Sequence, residues 1–132
     1  MTLKYLCPKC RTSVNIGDQI ILAGKTDTGL KGIVILKSEL GNYTTLFSED
    51  FTVFEGNKIR LSCPICHKRL ATRKSKNIAQ LHVIDDKNNE FTIYFSQIYG
   101  EKCTYKTEGK QIIESYGEHK QLYKPDWLIE EL

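Results

Sequence analysis

Apolar and polar residues alternate along this chain with the period of β-strands. Residues 19–25 and 32–37 are apolar, β-branched runs on either side of Thr26-Asp27-Thr28-Gly29, and so predict a hairpin. Residues 43–47 and 51–54 predict two more strands, and Glu55-Gly56-Asn57 turns the chain into another at 58–62. Residues 79–84 and 90–97 flank a second hairpin signal at 85–89, and 103–106 and 111–115 flank a turn at Glu108-Gly109. No long segment carries the 3.6-residue apolar period of a helix. One short helix is expected at 125–131, where Pro125 stands in the first turn. The fold class expected is mostly β, built from antiparallel hairpins.

Two short pieces interrupt this pattern. Cys7-Pro8-Lys9-Cys10 and Cys63-Pro64-Ile65-Cys66 each hold two thiols separated by two residues, and each follows an apolar alternating run (3–6 and 59–61). A two-residue gap lets one tight turn aim two sulfurs at one ion, and two such turns supply a tetrahedron of thiolates. Proline after the first cysteine fixes φ and helps set the turn. The spacing therefore predicts that Cys7, Cys10, Cys63 and Cys66 hold one structural zinc ion. Residues 11–62 lie between the pairs, so the ion would join the start of the chain to its middle.

The two Cys-Pro-x-Cys pieces and their flanking strands, about a quarter of the chain, resemble the knuckles of zinc ribbons. In that class two β-hairpins clasp a structural zinc. Its members bind DNA, RNA, ribosomes or proteins, or act as stabilising inserts in enzymes, so the resemblance implies a metal and a local fold rather than an activity. Ribbons often place glycine, commonly at positive φ, after the second cysteine; Arg11 and His67 stand there in this chain. Rubredoxins, which hold iron in four thiolates on two similar knuckles, are a second resemblance, but they are much shorter and usually keep the glycine.

The halves of the chain resemble each other. Each begins with a strand and Cys-Pro-x-Cys and runs into a hairpin. Ser38-Glu39-Leu40 ends the first hairpin and Ser96-Gln97-Ile98 the second, with Gly41 and Gly100 soon after. Glu55-Gly56-Asn57-Lys58-Ile59 is answered by Glu108-Gly109-Lys110-Gln111-Ile112. The expectation is one β-rich domain over 1–132 made of two internal repeats, 3–62 and 59–116, with a tail at 117–132.

Charge changes the picture more than composition does. The formal net charge is +3. Four thiolates and one zinc ion would bring it to about +1 (3 − 4 + 2). Residues 56–84 contain no acid, whereas 85–132 carry ten acids against six lysines. The basic run after the second knuckle holds Lys68, Arg69, Arg73, Lys74 and Lys76. Beside a rigid knuckle these cations suit a phosphate backbone, with RNA or a ribosome as partner; the other reading is a solvated loop. The tail, with Tyr116, Tyr123, Trp127 and Leu128, suggests instead a protein adaptor.

Candidate catalysis is sparse. A four-thiolate site is closed and leaves no position to activate water, so no enzyme is expected. His67 is too close to Cys66 to serve beside it, His82 reads as a surface or interface histidine on a strand, and His119 sits in a polar tail. Cys103 reads as a half-buried free thiol. An odd count of five cysteines, no transmembrane run and no visible export signal point to the cytoplasm.

Overall fold

The computed structural model describes residues 3–119. Within them the chain is all β, with no helix. Ten strands follow in order: β1 (Lys4–Leu6), β2 (Asn15–Ile16), β3 (Gln19–Thr26), β4 (Lys31–Lys37), β5 (Thr45–Phe47), β6 (Ile59–Ser62), β7 (Ile78–Ile84), β8 (Glu90–Ser96), β9 (Thr104–Glu108) and β10 (Gln111–Tyr116). They form two antiparallel sheets. One runs β1-β7-β8-β9-β10; the other runs β2-β3-β4-β5, with β6 also on β3.

The alternation seen in the sequence becomes burial. Ile20, Leu22 and Val34 point inward from one sheet, and Ala79, Leu81, Val83 and Ile93 from the other, and all share one core with Tyr5 and Leu61. Each such Leu, Ile or Val side chain stabilises the fold by about 1.5–3 kcal/mol when fully buried.

The strands that enter the knuckles cross over. β1, which precedes the first hairpin, pairs with β7 of the second, setting Tyr5 opposite Val83 and Leu6 opposite His82. β6, which precedes the second hairpin, pairs with β3 of the first, setting Leu61 opposite Gly24 and Ser62 opposite Ala23. Each sheet thus contains a strand from the other half.

Local bonds recur in both halves. Val14 N–H donates to the Tyr5 carbonyl at 2.8 Å, and Leu70 N–H to that of Leu61 at 3.0 Å. Ser38 N–H donates to the Asp18 carbonyl at 2.9 Å, and Gln97 N–H to that of Asn77 at 2.7 Å. In the hairpin turns Thr26 Oγ1 accepts from Leu30 N–H at 3.2 Å, and Asp85 Oδ1 accepts from Asn89 N–H at 2.8 Å. In these bonds Ser38 stands where Gln97 stands, one position from the Ser96 that sequence spacing matches to it.

The strand expected at 51–54 does not form. Gly24 and Gly32 face each other across β3 and β4, leaving a gap on the inner face, and the Phe51 side chain fills it. Asp50 turns the chain there at φ 69°. Phe51 is buried, and its ring meets Phe47 edge-on at 5.8 Å; Phe47 meets Tyr99 the same way at 5.1 Å. An apolar run has become a plug rather than a strand. The helix expected at 125–131 lies outside the described residues. Among the described residues, no helix is long and apolar enough to cross a membrane.

The plug yields a test. A Cβ on Gly32 would run into the Phe51 ring, and one on Gly24 would lie 2.8 Å from Val34 Cγ2 and 2.9 Å from Ile59 Cγ2. Gly32→Ala should therefore destabilise the fold by about 1–3 kcal/mol, although alanine is otherwise the better strand residue. Chemical denaturation checks this; Gly32→Ala paired with Phe51→Leu should recover part of the loss.

Candidate metal centre

Each knuckle is a tight turn at the end of a strand. After β1, Cys7 N–H donates to the Thr12 carbonyl at 3.0 Å, and Arg11 N–H donates to the Cys7 carbonyl at 2.9 Å. After β6, Cys63 N–H donates to the Lys68 carbonyl at 3.1 Å, and His67 N–H to the Cys63 carbonyl at 3.0 Å. Arg11 has φ 64° and His67 φ 66°. The left-handed conformation that ribbons usually give to glycine is thus kept by two bulkier residues, at a modest cost in strain.

The crossing of β1 and β6 brings the two turns together. Their four Sγ atoms all lie within 4.8 Å of one another and could hold a metal ion. Cys7 Sγ is 3.8 Å from Cys66 Sγ, and Cys10 Sγ is 3.8 Å from Cys63 Sγ. A tetrahedron with metal–sulfur bonds of about 2.3 Å has edges of about 3.8 Å, so these two pairs already stand at coordination spacing. A disulfide needs about 2.05 Å, and all five cysteines are free. The cluster is consistent with a zinc-ribbon-like site.

Surrounding groups prepare the sulfurs for negative charge. Lys9 N–H points at Cys7 Sγ at 3.3 Å; Ile65 N–H and Cys66 N–H point at Cys63 Sγ at 3.3 and 3.4 Å. Cys10 Sγ lies 3.3 Å from Thr12 Oγ1, and this contact, with a nearby backbone amide, lowers the Cys10 thiol to about 6. Burial instead raises the Cys7 thiol to about 12. Cys7 and Cys63 are fully buried and Cys10 and Cys66 half-buried. A cation among the sulfurs would offset the burial that disfavours the Cys7 thiolate.

Other candidates fall elsewhere. His67 is exposed and serves through its backbone. His82 Nδ1 lies 3.1 Å from Thr92 Oγ1, and burial, then the Arg11 charge, pushes its pKa down. His119 Nδ1 accepts from Lys102 N–H at 2.9 Å. Cys103 is fully buried in a second cluster with Ile78, Tyr94 and Tyr105, more enclosed than its sequence suggests. A cavity of about 220 Å³ between the sheets is lined by Tyr5, Leu36, Leu61, Ile93 and Phe95, and none of the four clustered cysteines lines it.

The basic run divides into two groups. Lys68 and Arg69 lie on the segment that returns from the second knuckle, where Arg69 pairs with Ser62 in an isolated antiparallel bridge. Arg73, Lys74 and Lys76 ride on a separate turn. There Thr72 Oγ1 donates to the Ser75 carbonyl at 2.6 Å, and Gln97 Nε2 donates to the Lys76 carbonyl at 2.9 Å. Leu70 and Thr72 are buried between the groups, and all five cations are exposed. Sequence reasoning missed two supporting residues. Thr12 sits on Cys10. Gln97, only 3% exposed, also accepts from Leu61 N–H at 2.8 Å and so ties β6 to that turn. Gln97 carried no local signal, because its partners are remote in sequence.

No protein-family model matches this chain, and no curated protein or solved structure matches it either.

Removal of one ligand should release the ion and loosen both sheets. Cys63→Ser is expected to lose stoichiometric metal and to melt about 10 °C or more below the parent. Cys103→Ser, away from the cluster, should keep full metal content. Because the Cys7 proton must leave when metal enters, loading should release protons and weaken as pH falls, which calorimetry in buffers of different ionisation enthalpy measures.

Proposed function

We propose that this protein is a non-catalytic binding module in which one structural zinc ion, held by Cys7, Cys10, Cys63 and Cys66, clamps two β-sheets. The observation that carries this reading is the cluster of four sulfurs within 4.8 Å of one another, two pairs of them at 3.8 Å: four protein ligands on one ion would fill its coordination sphere and leave no place for a reacting water. A reducing compartment such as the cytoplasm suits such a site and the free Cys103. We also infer that 3–62 and 59–116 are two copies of one unit within a single domain. Recurring bonds and matching positive φ at Arg11 and His67 support this.

The partner we propose for the basic run is RNA, free or in a ribosome. Lys68, Arg69, Arg73, Lys74 and Lys76 are all exposed, and both turns that carry them are anchored by backbone bonds. The adaptor reading rests mainly on Tyr123, Trp127 and Leu128, which lie outside the described residues.

Two measurements test the proposal. Elemental analysis should give one zinc per chain; one iron and a coloured protein would favour an electron carrier instead. Changing all five cations to Gln should flatten the salt dependence of RNA binding by several units of slope. Parent protein without salt-dependent binding, or a variant that binds as well, would return the segment to a solvated loop.

A further inference from the structure

The outward face of the sheet containing β2–β6 carries the inference. Odd-numbered residues of β3 and β4 point away from the core, and directly opposed residues share a face. The register sets Arg60, Lys25 and Lys31 in one row, with Lys25 directly opposite both other cations. The next rows are Ser62–Ala23–Ile33 and Ile21–Ile35–Leu46. Like charges placed directly opposite each other destabilise a sheet. Asp27 meets Arg60 at 3.1 Å, but Lys25 and Lys31 have no ion-pair partner among the described residues.

The aliphatic rows beside these cations are open. Leu46 is 49% exposed and Ile33 38%. On the other sheet the row in the same place, Gln80–Tyr94–Tyr105, is closed, with Tyr94 4% and Tyr105 2% exposed. That row buries its two rings, whereas its counterpart joins self-repelling cations to partly exposed aliphatic surface.

We propose that this face docks an acidic segment of a partner protein, its carboxylates against Lys25, Lys31 and Arg60 and its aliphatic side chains on Ile33, Ile35 and Leu46. The charge of the first row sets the sign of the partner. The aliphatic rows set its class: single-stranded nucleic acid is held by stacking on aromatic rings, and these rows offer none. A duplex would need cations spread along its backbone rather than beside an apolar patch. The inference goes beyond the RNA reading and uses different lysines.

The experiment uses the full chain loaded with zinc. Three labelled probes are titrated: a peptide of three glutamates followed by alternating leucine and serine, the same peptide with lysine in place of glutamate, and oligouridylate. Amide shifts locate each site and fluorescence anisotropy gives affinity. The acidic peptide should shift amides of β3, β4 and β5, and the lysine peptide should not bind. Lys25→Gln with Lys31→Gln should weaken the acidic peptide about tenfold or more, and Leu46→Ser about threefold. The lysine double variant should melt no lower than the parent, since it removes repulsion. A lower melting point, an unchanged affinity, or no shifts on this face would overturn the proposal. Stronger shifts there with oligouridylate would overturn it too, and would make the face a nucleic-acid surface.

Discussion

Four sulfurs gathered within 4.8 Å of one another are the constraint on which the rest of the structure depends. Two of them are fully buried, and buried negative charge is costly unless a cation or hydrogen bonds answer it. Backbone amides of Lys9, Ile65 and Cys66 answer part of it. A metal ion, which the four sulfurs could hold, would answer the remainder and fix where the two turns meet. Because the turns end β1 and β6, fixing them also fixes the ends of both sheets.

The crossing makes that clamp matter. β1 and β6 are three and four residues long, too short to hold a sheet edge alone. Each lies on a hairpin from the other half, so neither hairpin has its edge strand unless the whole chain is in place. Bringing Cys10 and Cys63 together closes the loop of residues 11–62, which costs about 3–4 kcal/mol in the length-dependent term alone. Burial of Tyr5 and Leu61 in the common core acts against that cost, and a metal ion held by the four sulfurs would add to it. Burial raises the Cys7 thiol, so a metal entering the cluster would have to displace its proton.

What could be read from sequence was what local chemistry dictates. The Cys-Pro-x-Cys pairs gave the cluster because two-residue spacing is a property of one turn. Alternation gave most of the strands, since period two follows from the pleat itself. What could not be read depended on distant partners. The apolar run from Phe51 to Phe54 has strand composition, yet Phe51 fills the gap left by Gly24 and Gly32, an inner-face feature that local alternation does not reveal. Gln97 looks like any polar residue at a strand end until β6 and the turn at 72–76 arrive beside it. The exchange of β1 and β6 was hidden for the same reason: a strand's pattern shows that it has a buried face, not which sheet it joins.

Arg11 and His67 show how these levels meet. Glycine would take positive φ there without strain, and both side chains pay a small backbone penalty. In the first knuckle the side chain reaches out: Arg11 Nη1 lies 2.6 Å from Glu90 Oε1 at the start of β8. That pair is about half exposed and contributes at most about 1 kcal/mol, roughly the size of the strain. It joins the knuckle of the first half to the hairpin of the second, the same connection that β1 makes through its pairing with β7. A glycine would relieve the backbone and lose this tie. The bulkier residue is therefore compatible with the crossing, and the knuckle keeps its shape because the bonds around Cys7 hold the turn from both sides.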